Sequence, residues 1–158
     1  MKRVLIVDDE EDLRGIIREV LSDEDFLTVE ASNGRQAISL FKKQAPDAVL
    51  LDLKMPVMDG ISAMNELRKI NSDVPVIILT GHGDVDTAVK AIKAGAYDFT
   101  LKPPDFDRLL LTLRRAIERR ELQQEVERVN TALESSLENL FGKSDSVKAV
   151  IDQIKQVA

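Results

Sequence analysis

The sequence predicts an α/β domain, a doubly wound five-stranded parallel sheet, followed by a helical linker. Two observations carry that expectation. Short apolar runs recur at intervals of roughly 20 to 28 residues, and stretches with helical periodicity separate them. The runs are continuous rather than alternating, so the strands they form are covered on both faces, as in a parallel sheet between two helical layers. Parallel neighbours need long crossovers, and each gap has room for one helix. Repeated units of this kind with right-handed crossovers build a doubly wound sandwich.

The elements follow in order. Val4–Val7 forms the first strand, and Leu13, Ile16, Ile17, Val20 and Leu21 are spaced as one face of a helix. Leu27–Val29 is the second strand, followed by the stripe Ala37, Ile38 and Phe41. Ala48–Leu51 is the third, with Ile61, Met64, Leu67 and Ile70 behind it. Val76–Leu79 is the fourth, with Val85, Ala88, Val89 and Ile92. Tyr97–Leu101 is the fifth, and Leu109, Leu110, Leu113, Ala116 and Ile117 mark a helix packing back on the sheet. Residues 1–119 complete this domain.

The composition then changes. From Leu101 onward the only prolines are Pro103 and Pro104 and the only glycine is Gly142. Leu122, Val126, Val129 and Leu133 are spaced as d and a positions of a heptad seam, with Ser136 and Leu140 at the next two. Two readings fit residues 120–140: a helical linker that dimerises the protein, or a helix whose stripe packs on its own domain. Phe141–Ser144 breaks the pattern, and Val147, Val150, Ile151 and Ile154 mark a last short helix. Residues 141–158 read as the truncated leading segment of a further domain.

Bulk properties narrow the class. With 158 residues, 44% of them hydrophobic, the chain supports one domain with a real core and not two of ordinary size. Cysteine is absent, which excludes disulfides and thiolate metal sites. The net charge of -6 supplies no basic footprint for nucleic acid. The opening residues lack the pattern of a signal peptide, and the longest apolar runs are too short to cross a bilayer, so a cytoplasmic location is expected.

Open parallel sheets bind ligands beyond the carboxyl ends of their strands. Asp8 and Asp9 follow the first strand, Asp52 the third, Thr80 the fourth and Lys102 the fifth. Clustered carboxylates repel one another and raise their pKa values unless a cation intervenes. Oxygen ligands without cysteine or paired histidine favour a hard ion such as Mg²⁺. Mg²⁺ and Lys102 together would balance the charge of a phosphoryl group, Thr80 would donate a hydroxyl, and one carboxylate would serve as nucleophile. The bland alternative is an acidic surface patch among turn residues.

VLIVDDE at 4–10, VLLDLKMPVMDG at 49–60, ILTGHGD at 78–84 and AGAYDFTLKP at 94–103 resemble the response-regulator receiver domain of two-component systems. The resemblance covers residues 1–119. It implies a strand order of 2-1-3-4-5 and phosphorylation of Asp52 by the phosphohistidine of a sensor histidine kinase. It also implies that Asp9, Asp52 and the Lys54 backbone carbonyl ligate Mg²⁺, with Asp8 acting through water. Lys102 would pair with the phosphoryl group, Thr80 would turn inward to bond it, and Phe99 would be the aromatic that moves in response. The Lys102–Pro103 bond is expected to be cis.

The bland readings are few. Pro56 and Gly60 shape the loop after Asp52, Asp59 caps the third helix, and Asn33-Gly34 is a turn or helix start. Lone His82 is not a metal ligand, and Gly81 and Gly83 lend mobility beside Thr80.

The GHGD segment, the linker and the tail FGKSDSVKAVIDQIKQVA are similar to the nitrogen-regulation and dicarboxylate-transport class of sigma-54-dependent activators. In that class a receiver joins a AAA+ ATPase through a dimerising linker. The chain carries no phosphate-binding GxxxxGK[ST] motif, so contact with sigma-54 RNA polymerase and DNA is expected only through domains outside it. Substrate turnover is not expected. Two rivals are a phosphorylation-independent dimerisation module and a Mg²⁺-dependent aspartyl-phosphate phosphohydrolase. The first has no need of the acid pocket, Asp52, Thr80 and Lys102, and the second needs a general acid and an enclosing cap.

Overall fold

The computed structural model describes residues 1–81 and 84–141. Its first compact unit is Met1–Arg120, and a second begins at Glu121.

Five strands, β1 (Arg3–Val7), β2 (Leu27–Ala31), β3 (Ala48–Asp52), β4 (Val76–Thr80) and β5 (Asp98–Leu101), alternate with α1 (Glu11–Asp23), α2 (Gly34–Gln44), α3 (Gly60–Ile70), α4 (Val85–Lys93) and α5 (Phe106–Phe141). All strand pairs are parallel, in the order β2-β1-β3-β4-β5. Both the fold class and the strand order match the expectation. Some ends move slightly: Asp52 and Thr80 are the last residues of their strands rather than the first beyond them, and Tyr97 precedes β5.

Strand geometry sends alternate side chains to opposite faces, and two apolar clusters result. Leu5, Val7, Val49, Leu51, Val76 and Ile78 pack against Phe41 of α2, Met64 and Leu67 of α3 and Ala88 and Ala91 of α4. Val4, Ile6, Ala48, Leu50, Ile77 and Leu79 pack against Ile17 and Leu21 of α1 and Leu109, Leu113 and Ala116 of α5. Every residue of β3 and β4 is buried, which is why these strands show no polar alternation. Burying a side chain such as Leu50 or Ile77 contributes about 1.5–3 kcal/mol, and truncating one to Ala costs about 2–5 kcal/mol.

The helix starts are written locally. Asn33 caps α2 by accepting from the Gln36 amide at 3.0 Å, and Gln36 Oε1 accepts in return from the Ser32 amide at 2.9 Å. Asp59 caps α3 through the Ser62 amide at 2.8 Å. Asp105 accepts from the Asp107 and Arg108 amides where α5 begins. At the far end of α4, Gly95 takes φ 117°, and an added Cβ there would lie 2.6 Å from the Arg68 guanidinium carbon.

Helix α5 is continuous over 36 residues. Within the first unit it buries Leu109, Leu110, Leu113, Ala116 and Ile117, and Arg120 pairs with Asp47 at 3.2 Å. In the second unit Leu122, Val126, Val129 and Leu133 are all exposed, by 37–59%. The expected helix after the Phe141–Ser144 break, and His82 and Gly83, lie outside the described residues. No helix among the described residues is long and apolar enough to cross a membrane.

Candidate functional site

The carboxyl ends of β1, β3, β4 and β5 gather the polar residues that the sequence singled out. β3 lies at the centre, so Asp52 has the end of β1 on one side and the end of β4 on the other. Asp8, Asp9 and Asp52 each present an oxygen within 4.8 Å of the others. Asp8 and Asp52 are buried and Asp9 is exposed.

The turn after β1 is held from several directions. Asp8 Oδ1 accepts from the Glu10 amide at 2.9 Å, and the Asp8 carbonyl accepts from Arg14 at 2.7 Å. Arg14 also pairs with Glu30 of β2 at 3.4 Å. Beyond β3, the Lys54 amide donates to Asp52 Oδ1 at 3.2 Å. Gly60 closes the same loop by donating its amide to the Leu53 carbonyl at 2.9 Å. A Cβ on Gly60 would lie 2.5 Å from the Asp52 carbonyl oxygen and 2.6 Å from Leu53 Cα. Glycine is therefore required for α3 to start this close to the Asp52 backbone, a stronger role than turn punctuation.

Lys102 directly follows β5 and is joined to Pro103 by a cis bond, as the resemblance implies. Its ammonium lies 2.8 Å from Asp8 Oδ2, 3.3 Å from Asp52 Oδ2 and 3.5 Å from Glu10 Oε1. The Asp8 contact is close but poorly directed, since Oδ2 is buried without a well-aligned hydrogen bond and relies on charge attraction. Thr80 is buried, with its hydroxyl 3.4 Å from the Gly81 carbonyl and 3.5 Å from the Asp84 carbonyl. Phe99, one strand over, packs half-buried against the α2–α3–α4 core.

One cation among several carboxylates leaves Asp52 poorly compensated. Burial and the neighbouring Asp8 charge push its carboxyl up to about 6, against the opposing pull of Lys102 and the Lys54 amide. Burial alone would lower the Lys102 ammonium, but its contacts with Asp8 and Asp52 outweigh that and hold it above the ordinary lysine value. The two directions are consistent: Lys102 divides its attraction between two buried acids, so it gains from both while Asp52 receives only part. This excess of negative charge on oxygen donors fits a hard divalent cation.

Asp8, Asp9, Asp52 and Lys102 thus come together with the Lys54 amide, Thr80 stands at the end of the neighbouring strand β4, and Phe99 lies on β5. The seam Leu122, Val126, Val129 and Leu133 lies in the second unit. Sequence reasoning missed Glu10 beside Lys102, Arg14 under the acid turn, and Asp84, whose carboxylate pairs with the Lys54 ammonium at 3.0 Å. Asp84 and Glu10 are each an acid at the start of a helix, a local pattern that does not point to a lysine partner.

Residues 4–114 match the response regulator receiver domain family. The chain is 40% identical over 136 residues to the regulatory protein AtoC of Escherichia coli K12, covering 86% of this chain and 30% of that protein. It is 36% identical over 159 residues to the C4-dicarboxylate transport transcriptional regulatory protein DctD of Pseudomonas aeruginosa, covering 99% and 34%. A crystal structure of NtrX from Brucella abortus with ATP superposes with a TM-score of 0.77 at 39% identity, covering 80% of this chain and 29% of that one. The chain therefore spans about a third of the length of these curated relatives.

Proposed function

This chain belongs to the response regulator receiver domain family, and from that premise we propose that Asp52 accepts a phosphoryl group from the phosphohistidine of a sensor histidine kinase. The observation that carries the reading is a buried, poorly compensated carboxylate at the centre of the sheet, which shares one lysine with a second acid. An Asp52 carboxylate oxygen attacks phosphorus, the P–O bond forms as the P–N bond breaks, and the imidazole leaves. Asp52 is ionised above about pH 6 and so is nucleophilic at neutral pH. Lys102 is placed to follow the charge onto the transferred group. Arg14 and Gly60 hold the backbone on either side so that the oxygens converge.

Asp9, Asp52 and the Lys54 carbonyl would hold Mg²⁺, with Asp8 acting through water, and the ion would supply positive charge for the transferring phosphoryl oxygens. After transfer, Thr80 exchanges its long contacts with Gly81 and Asp84 for the phosphoryl group, and Phe99 moves into the space released. These changes bias the face formed by α4, β5 and α5.

The proposed domains are a receiver over 1–119, a dimerising linker over 120–140 and the leading segment of a AAA+ ATPase over 141–158. The exposed seam Leu122, Val126, Val129 and Leu133 supports pairing with a second copy. Control of a sigma-54-dependent ATPase, in the cytoplasm, is the proposed output, with DNA and polymerase reached through other domains. The role proposed for the chain is regulatory, without substrate turnover.

The test is the intact mass of the full chain incubated with Mg²⁺ and acetyl phosphate, beside Asp52→Asn. A gain of about 80 Da in the wild type alone, one phosphoryl group, supports the assignment. No gain in a folded wild type moves the weight to a phosphorylation-independent dimerisation module.

A further inference from the structure

Helices α2 and α3 each begin with a side chain that accepts from the helix amides, at Asn33 and Asp59. Helix α4 does not. Asp84 occupies its cap position and is as good a capping residue as either, yet it makes no side-chain cap bond. Its backbone, at φ -104° and ψ 17°, also departs from the extended conformation found at Asn33 and Asp59. The carboxylate is instead 3.0 Å from the Lys54 ammonium, across from the β4–α4 loop to the loop after β3. The Asp84 carbonyl meanwhile faces the Thr80 hydroxyl at 3.5 Å. One residue therefore touches the switch threonine through its backbone and the phosphoacceptor loop through its side chain.

We propose that Asp84 is a positioning residue that holds the start of α4 at rest through Lys54, and that on phosphorylation of Asp52 it gives up this ion pair to cap α4. The proposal rests on the reading of Asp52 as phosphoacceptor. Lys54 is two residues from Asp52, and its amide already donates to Asp52 Oδ1. Its side chain is 78% exposed, so the ammonium is free to swing. Phosphorylation turns the single charge of ionised Asp52 into about -1.5 to -2 on the acyl phosphate, more than the single charge of Asp84, and the phosphoryl oxygens compete for the same ammonium. It also competes for the Thr80 hydroxyl, whose present contacts are near the limit of hydrogen bonding. Both holds on Asp84 are released together. The carboxylate then has the unsatisfied amides and positive end of α4 as its nearest partners. Charge gained at Asp52 is thereby converted into a change at the first turn of α4.

An ion pair whose lysine is 78% exposed is weak even though Asp84 is largely covered, so its loss shifts the resting population about two- to fivefold. That is small for stability but resolvable by NMR. The Thr80 and Thr87 amides report the loop and the first turn of α4. They are followed in the full 158-residue chain for wild type, Asp84→Asn, Asp84→Ala, Lys54→Gln and the Asp84→Asn/Lys54→Gln double variant, all without phosphodonor. Asparagine loses the charge but still caps, whereas alanine loses both. Asp84→Asn and Lys54→Gln are expected to move both resonances part of the way to the positions they take in phosphorylated wild type, and the double variant no further than Asp84→Asn. Asp84→Ala is expected to move Thr80 but not Thr87. The latch is overturned if the single variants stay at the wild-type positions, or if the two substitutions add in full. Wild-type mass after acetyl phosphate and Mg²⁺ separates the two levels: a normal gain with unmoved variants removes the latch alone, and no gain removes the Asp52 reading and the latch with it.

Discussion

Asp52→Asn is expected to stabilise the protein at neutral pH, by an amount that vanishes in acid. The carboxyl sits at about 6 instead of 3.8, so the folded state binds its proton more tightly than the unfolded chain does. A raised value of this kind contributes stability that is fully present below about pH 4 and is lost as the pH climbs through about 6. At pH 7.5 ionised Asp52 is therefore a net cost to the fold. A shift of about two units, at about 1.4 kcal/mol each, sets a ceiling near 3 kcal/mol. Water reaching the pocket past exposed Asp9 screens part of this, which leaves about 1–2 kcal/mol. Asparagine keeps the size of the side chain and an oxygen for the Lys54 amide, and Lys102 keeps Asp8. The assay is urea unfolding of both proteins in chelator from pH 4 to 8, comparing differences so that other titrations cancel. The variant should lead at pH 7.5 and the gap should close towards pH 4. Adding Mg²⁺ should raise the wild type far more than the variant, since an ion that binds only the folded site stabilises it by mass action. A variant no more stable at pH 7.5, or a gap that does not change with pH, refutes the account of Asp52 as a poorly compensated buried acid.

The same titration predicts that phosphorylation by acetyl phosphate slows as the pH falls through about 6 in low Mg²⁺, because the nucleophile becomes protonated; a rate flat from pH 5 to 8 would count against it. Gly60→Ala should cost about 1–3 kcal/mol and slow phosphorylation, since the new Cβ at 2.5 Å must displace the Asp52 carbonyl, and parallel melting and mass measurements separate the two effects. Val57 is an exposed β-branched residue at φ 75°, centred in a tight turn closed by the Met58 amide on the Pro56 carbonyl at 2.9 Å. Val57→Gly should gain about 1 kcal/mol, the strain relieved less the added chain entropy, as read by thermal melting. Val126→Glu with Val129→Glu should abolish the proposed self-association in sedimentation while leaving the melting of the receiver unchanged, because both side chains are exposed; a wild type that does not self-associate, or a variant that still does, would count against the seam.

The legible parts were those carried by local pattern. Continuous apolar runs such as Val76–Leu79 identified strands buried on both faces, and Asp59 announced α3 because a capping acid needs only its own next three residues. The parallel sheet could be inferred because crossover length and two-sided burial leave few alternatives. Placing Asp8, Asp9, Asp52, Thr80 and Lys102 in one site followed from their positions at strand ends, and strand order came through the resemblance rather than from periodicity. The pairing of Arg120 with Asp47 spans 73 residues and nothing local signals it. Glu10 and Arg14 were equally silent, since an acid and an arginine at the start of a helix look like ordinary solvated residues.

By itself, then, the sequence determined the fold class, the order of elements along the chain and the set of chemical groups available. Those depend on side-chain periodicity and on turn and cap preferences, which act over a few residues. The tertiary structure alone decided how the charges are shared. Burial and the Asp8 charge raise the Asp52 carboxyl to about 6, and Lys102, which serves both acids, offsets only part of that rise. Asp84 is turned from its own helix to Lys54, and Gly60 meets the Asp52 carbonyl at a distance no other residue allows. Each of these rests on distances between segments brought together only by the sheet. Ion-pair energies depend on these distances and on local burial, steric contacts rise steeply below van der Waals separation, and neither can be read from segments far apart in sequence.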